Sequence, residues 1–522
     1  MLRTLRSLTC LVAVLGGLLG VAAEAPRKPR LVLAVVVDQF RYDYLLRFRD
    51  GYHAGLARLL DHGAVFTDAH YPHAATVTAV GHSTFLSGAT PSASGIIGNE
   101  WFDRESGKRV TSVSDPETFL VGGMGSREGS SPRRLLVSTV GDELKMSGAD
   151  SRIVSVSIKD RSAVLPGGHM ADAAYWYEAD FNAWVTSTYY REALPEWVKE
   201  VNKEKWYQRY LGTNWLPLDA KPGAAPFCTM VAGGDLRYCG SLEASPAGNE
   251  MIEEFAERAA DGEDLGRHPG TDILAVSFSS NDYVGHAVGP DDPSIRDISI
   301  RTDILLGKLM DKLEQRVGAG NLLVVLTADH GVAPVPEVNE ARKMPGGRLS
   351  EVRLTQRITD ALVKRFGQGD WLLPGPIASP YLNLKTIESH KLDRAEVERV
   401  AADAARGEPH IARVYTRTEL LKGEVQQDEI SHAVSVGFFA PRSSDLFILP
   451  QPYYLFEATG TSHGTPYDYD NHVPVMFFGP GIKPGIYARH IVVNDVAPTL
   501  ASILGVEMPT SVVGRVLTEM LE

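Results

Sequence analysis

Three aliphatic runs, far apart in the chain, each break off at a residue able to hold a metal or a proton. Leu31–Val37 stops at Asp38. Ile273–Phe278 runs into Ser279-Ser280-Asn281-Asp282-Tyr283-Val284-Gly285-His286, and Asn321–Leu326 runs into Thr327-Ala328-Asp329-His330-Gly331. Continuous apolar strands of this kind belong in a parallel sheet covered on both faces, because an exposed face would require alternation. Between the second and third runs, Ser294–Val317 carries apolar residues at helical spacing (Ile295, Ile298, Ile304, Leu305, Leu309). Strand, helix, strand is a βαβ unit with a right-handed crossover. A further short strand, Val475–Phe478, ends at Gly479-Pro480, and a helix over Ala497–Leu504 follows. In open α/β sheets, ligands bind beyond the carboxyl ends of the strands, so the polar residues ending these runs are expected to converge.

The chain has 522 residues, enough for about three ordinary domains or one large α/β domain with insertions. The spread of the strands along the chain favours the second arrangement. The expected organisation is one core domain over 26–522, with a Trp-rich cap at about 163–265 and a polar, charge-rich insertion at 341–440. With 44% hydrophobic and 22% charged residues the chain is neither disordered nor a polytopic membrane protein. A net charge of −13 repels phosphate backbones, which excludes nucleic acid as a specific partner.

Residues 1–23 place Arg3 and Arg6 before the apolar run Leu8–Val21 and the small residues Ala22 and Ala23. This is the pattern of a cleaved signal peptide, the alternative being an uncleaved anchor. The mature chain is expected in the periplasm or outside the cell, without a membrane segment. There Cys228 and Cys239 could close a short loop, a pairing the sequence leaves open.

Carboxylates and imidazoles offer hard and borderline donors, a mixture that suits zinc. Any one of Asp38, Asp282, His286, Asp329 or His330 alone could be a cap or an ion-pair partner. Together with His463, in the small-residue loop Gly460-Thr461-Ser462-His463-Gly464, they imply a metal centre. The segment His73–Ser83 holds Thr76 and Thr78 where a helix is expected to begin. A hydroxyl there meets free N–H groups and the positive end of the helix dipole. It could serve simply as an N-cap or, activated by a metal, as a nucleophile.

Taken in order, these residues resemble the alkaline phosphatase superfamily, and within it the type I phosphodiesterase/nucleotide pyrophosphatase-like domain. The resemblance rests on Thr76-Val77-Thr78, His82, Ser87-Gly88, Pro91, Gly95-Ile96-Ile97-Gly98-Asn99, Asp282-x3-His286, Asp329-His330 and His463. It implies a three-layer sandwich with a mainly parallel central sheet and helices on both faces. It also implies Thr78 as the nucleophile and Asn99 as a donor to a phosphoryl oxygen. Asp282, His286 and His463 resemble the ligands of one zinc; Asp38, Asp329 and His330, with Thr78 Oγ, resemble those of a second.

After the strand expected over 152–158 come Lys159-Asp160-Arg161. A phosphate monoester dianion carries one more negative charge than a diester and needs additional cationic donors. Lys-x-Arg at this point is similar to the phosphate-irrepressible bacterial alkaline phosphatases, where both side chains contact the phosphoryl group. The resemblance then implies that Lys159 stands where other alkaline phosphatases hold a third metal, so that two Zn²⁺ suffice. It also implies hydrolysis of small phosphate monoesters of broad range, by a monomer, through a phosphothreonine. A phosphodiesterase or pyrophosphatase, or an inactive metal-stabilised binding protein, are the alternatives. None of the cysteines stands in the Cys-x-Pro-x-Arg context that sulfatases require. His82 is expected to pack the helix, and the Trp-rich stretch to be core or a roof over the site.

Overall fold

The computed structural model describes residues 28–123, 125–231, 238–375 and 378–522; the signal-peptide reading of 1–23 lies outside the described residues. One sheet of eleven strands dominates. In chain order they are β1 (Leu31–Val37), β2 (Ala64–Phe66), β3 (Ser114–Val121), β4 (Glu128–Ser130), β5 (Ile153–Ser157), β6 (Ala173–Glu178), β7 (Ala183–Ser187), β8 (Asp272–Phe278), β9 (Leu322–Thr327), β10 (Val475–Phe478) and β11 (Gly485–Tyr487). Across the sheet they run β11-β2-β10-β9-β1-β8-β5-β6-β7-β3-β4. The central strands β9, β1, β8, β5 and β6 are all parallel. The flanks are largely antiparallel: β10 on β9 and β2 at one side, β7, β3 and β4 at the other. The sheet is therefore mixed, parallel where the apolar runs predicted it and antiparallel where the strands are short or half-polar.

Every residue of β1, β8 and β9 is buried. Each Val or Leu so placed contributes about 1.5–3 kcal/mol, so the strand ends are held on a stiff base. The register pairs Val36 with Ser277 on one side and with Thr327 on the other, which makes the carboxyl ends flush. Helices cover both faces. Among them are α1 (Gly55–His62), α2 (Thr78–Ser87), α3 (Asp160–Gly167), α4 (Pro246–Gly262), α5 (Ser280–Val288), α6 (Pro293–Val317) and α7 (Val496–Leu504). α6 packs on α1 and α4, whereas α2 packs on α3 and α7.

The stretch 163–265, expected as a Trp-rich cap, instead contributes β6 and β7 to the sheet and α4 to its face. Its tryptophans are mostly core: Trp184 stacks on Phe255 at 3.9 Å, and Trp215 Nε1 donates to Asp297 at 2.7 Å. Aromatic richness signalled burial but not its location. Cys228 and Cys239 form a disulfide with Cα atoms 6.3 Å apart, in the same stretch. Residues 341–440 do contain a separate small core. Helices Glu351–Phe366 and Arg394–Arg406 pack Leu354, Ile358, Val397 and Ala401 against the antiparallel ladder of Ile411–Thr416 and Leu446–Pro450.

Candidate active site

The flush strand ends bring Asp38, Lys159, Asp282, Asp329 and His330 into one buried row. Asp38 follows β1, Asp329 and His330 follow β9, and Asp282 lies in the first turn of α5 beyond β8. Lys159 stands two residues past β5 and caps the backbone of α3. α2 approaches this row closely through Gly81: a Cβ there would collide with the backbone of Asp329. Only a residue without a side chain lets the helix start sit over the strand end. Gly460, at φ +64°, makes the corresponding approach to the His286 carbonyl and delivers the His463 loop.

Three histidines are oriented alike. The Nδ1 of His286 lies 2.8 Å from the Thr461 carbonyl, that of His463 2.8 Å from the Thr76 carbonyl, and that of His330 2.9 Å from the Gly331 carbonyl. A carbonyl only accepts, so in each neutral ring the proton sits on Nδ1 and Nε2 presents a lone pair. His286 Nε2 is 3.2 Å and His463 Nε2 3.7 Å from Asp282 Oδ1, and the two nitrogens are 3.3 Å apart. His330 Nε2 lies 3.6 Å from Asp38 Oδ1 and 3.4 Å from Asp329 Oδ2. Those last three atoms are fully buried and have no hydrogen-bond partner. Orphaned donors and acceptors are costly, and three facing one another are what a metal's ligands look like. The ligand-competent groups are Asp282, His286 and His463, and Asp38, Asp282 and His330. Asp282 thus stands between them.

The electrostatics point the same way. Three buried carboxylates face one ammonium: Lys159 Nζ is 2.6 Å from both Asp38 Oδ2 and Asp282 Oδ2. Burial opposes the lysine's charge, but Asp282 and Asp38 outweigh it and raise its pKa above the ordinary range. Burial and the neighbouring Asp38 charge push the Asp329 carboxyl well up. Burial lowers His330 to about 3 and takes His463 well below its usual value, so both are neutral and able to ligate at neutral pH; at His286 burial is outweighed by the Asp282 charge, which raises it to about 9, so a cation binding there displaces its Nε2 proton. A site with this excess of carboxylate is matched to divalent cations.

Thr78 is the first residue of α2 and is buried. Beside it, the Ala79 N–H donates to Asn99 Oδ1 at 2.8 Å, which turns the Asn99 amide nitrogen to other acceptors. Thr76, the other candidate, is occupied: its hydroxyl donates to the Thr465 carbonyl at 2.9 Å. Arg161 is the second residue of α3, and its buried Nε has no partner. His82 packs as expected, with Nδ1 2.8 Å from the Thr78 carbonyl, Nε2 2.8 Å from Ser277 Oγ, and burial lowering it to about 4. A cavity of about 430 Å³ opens over Asn99, His286 and His463. Its roof comes from Trp101, Tyr381, Arg417 and Phe438, and none of the Trp-rich stretch's tryptophans lines it.

Sequence reasoning missed Gln39 and Tyr283. The Gln39 backbone N–H donates to Asp329 Oδ1 at 3.1 Å while its Nε2 donates to Asp282 Oδ1 at 2.7 Å. It does so from φ 61°, an unusual conformation for a residue other than glycine. Lys159 Nζ lies 4.7 Å from the centre of the Tyr283 ring. The only sequence signal for either was adjacency to a site aspartate.

A mixed sheet with paired Asp/His groups at its strand ends, and a threonine-led helix beside them, is the architecture of the alkaline phosphatase superfamily. The chain belongs to the type I phosphodiesterase/nucleotide pyrophosphatase family, which it matches over residues 32–472. It is 35% identical over 519 residues to alkaline phosphatase PhoV of Synechococcus elongatus, covering 95% of this chain and 93% of that protein. A protein of Myroides odoratus named calcium-transporting ATPase is 33% identical over 529 residues, 96% of each chain. Alkaline phosphatase PafA of Elizabethkingia meningoseptica is 32% identical over 537 residues, 98% of each chain. A crystal structure of wild-type PafA aligns with a TM-score of 0.88 at 31% identity, over 96% of this chain and all of that one.

Proposed function

We propose that this protein is an exported alkaline phosphatase that hydrolyses small phosphate monoesters through a phosphothreonine on Thr78. The observation that carries the monoester reading is the cation pair. Lys159 commits two of its three N–H donors to Asp38 and Asp282 and keeps a third, while Arg161 holds an unpartnered Nε. Two cationic donors at the start of α3, the helix that packs on α2, suit the extra negative oxygen of a monoester better than the second ester group of a diester.

In this reading Asp282, His286 and His463 hold one zinc, and Asp38, Asp329 and His330 the other. When bound, zinc supplies Lewis acidity that lowers the pKa of the Thr78 hydroxyl and offsets charge on entering and leaving oxygens. Thr78 Oγ attacks phosphorus and the ester oxygen departs as the alcohol. The N-terminal N–H groups of α2, the Asn99 amide, Lys159 and Arg161 hold the non-bridging oxygens through both displacements. A water then attacks the phosphothreonine from the vacated side, releasing inorganic phosphate and restoring the hydroxyl. Because contacts concentrate on the phosphoryl group, a broad range of leaving groups is expected. Among the described residues no helix is long and apolar enough to cross a membrane. That is compatible with release after cleavage of residues 1–23.

Acid quenching of turnover on p-nitrophenyl phosphate, followed by peptide mass spectrometry, tests the reading. Phosphate on Thr78 is expected; phosphate on another residue, or none under conditions where hydrolysis of the intermediate is slow, would remove the assigned nucleophile.

A further inference from the structure

A second group of imidazoles and carboxylates lies outside the active site. Asp68 and His70 are two residues apart, the latter in the short strand Ala69–His70, and so project to the same side. That strand pairs in parallel with Ile491–Val492, Ile491 opposite Ala69, and the Ile491 N–H donates to the Asp68 carbonyl at 2.9 Å. The register therefore delivers His490 beside Asp68. His70 Nε2 is 2.9 Å from Asp68 Oδ1 and His490 Nδ1 is 3.3 Å from Asp68 Oδ2.

The protonation of His70 can be read from its other side. Asn471 Nδ2 donates to the Pro466 carbonyl at 3.1 Å, so the amide oxygen is the atom that faces His70 Nδ1, also at 3.1 Å. An amide oxygen only accepts, which places the proton on Nδ1 and leaves the Nε2 lone pair against a carboxylate oxygen. Acceptor against acceptor at that distance is resolved either by a second proton on the ring or by a metal cation held between the two atoms. Two ligand atoms each about 2.0–2.2 Å from one zinc lie roughly 3.3–3.6 Å apart at tetrahedral angles, which matches the 3.3 Å of the His490 contact and is a few tenths of an ångström wider than the 2.9 Å of the His70 contact.

We propose that Asp68, His70 Nε2 and His490 Nδ1 form a separate divalent-cation site for zinc or a similar late first-row metal. Two imidazoles and one carboxylate select that class over magnesium and calcium, and three protein ligands leave a position for water. His490 is largely exposed, so the ion enters directly from solvent. The neighbouring grouping of His70, Asp468 and His472 does not compete, because it would need the His70 Nδ1 that is committed to Asn471. Binding would pin the His70 ring, which stacks on His472 at 4.4 Å, and so brace the segment following His463.

The test compares zinc content after equilibration with ZnCl₂ and dialysis in the wild-type chain, His490→Ala and the near-isosteric Asp68→Asn. The expected result is one equivalent more zinc in the wild type than in either variant, with kcat on p-nitrophenyl phosphate unchanged in both. The comparison is a difference between chains, so it holds whatever number of ions the active site takes. Anomalous diffraction at the zinc edge should place a peak among the three side chains. Equal zinc in all three proteins, or no peak, would overturn the site and leave a proton as the cation on His70.

Discussion

Replacing Arg161 with alanine separates the monoester reading from its alternatives. The side chain makes no protein hydrogen bond through its buried Nε, so truncation breaks no contact there. It sits in the first turn of α3, where a positive charge opposes the helix dipole, so the fold should not lose stability. What is lost is a charge-assisted hydrogen bond to a phosphoryl oxygen, worth about 1.5–3 kcal/mol. At 1.4 kcal/mol per decade, kcat/KM for p-nitrophenyl phosphate should fall roughly ten- to a hundredfold. For bis-p-nitrophenyl phosphate, with one negative oxygen fewer, the loss should be markedly smaller, and the melting temperature should stay within error. Equal losses on both esters would refute the assigned role of the cation pair, and a large fall in melting temperature would show that Arg161 serves the fold.

Thr78→Ala should abolish phosphoenzyme formation while zinc content, measured by elemental analysis, stays at the wild-type level. Gly81→Ala drives a methyl into the Asp329 backbone; overpacking of this kind costs about 1–3 kcal/mol, to be read by denaturant unfolding, and should also depress kcat by moving a proposed ligand. Asp470 offers a pH test: burial raises its carboxyl to about 7, against hydrogen bonds from Thr465 that lower it. A carboxyl raised in the folded state favours folding while protonated, so its contribution is complete below the ordinary value of 3.8 and is lost as pH rises through about 7. Asp470→Asn should therefore flatten the calorimetric stability profile across that window, and parallel profiles for the two proteins would contradict the assignment.

The centre of the fold was legible because β1, β8 and β9 are uninterrupted aliphatic strands with polar stops, a pattern that only a covered parallel sheet satisfies. The flanking strands were not. Ser114–Val121 buries only the polar Asp115 and Thr118 and carries an exposed proline, and its place depends on pairing with β7 rather than on its own composition. Asp38, Asp282, Asp329 and the three histidines announced themselves by chemistry and position, and the structure gathers them. Gln39 was invisible because its role depends on a backbone at φ 61° and on two partners hundreds of residues away. The roof was misplaced for a similar reason: the tryptophans reported where apolar surface is abundant, whereas the cavity is closed by Trp101, Tyr381 and Phe438 brought together only in the folded chain.

The most direct measurement is kcat/KM for p-nitrophenyl phosphate against bis-p-nitrophenyl phosphate, with zinc-loaded wild-type protein at alkaline pH. A preference for the monoester by several orders of magnitude is the predicted result and gives Lys159 and Arg161 their function. A preference for the diester would contradict the account, place the protein among the phosphodiesterases of its family, and reduce that pair to bystanders.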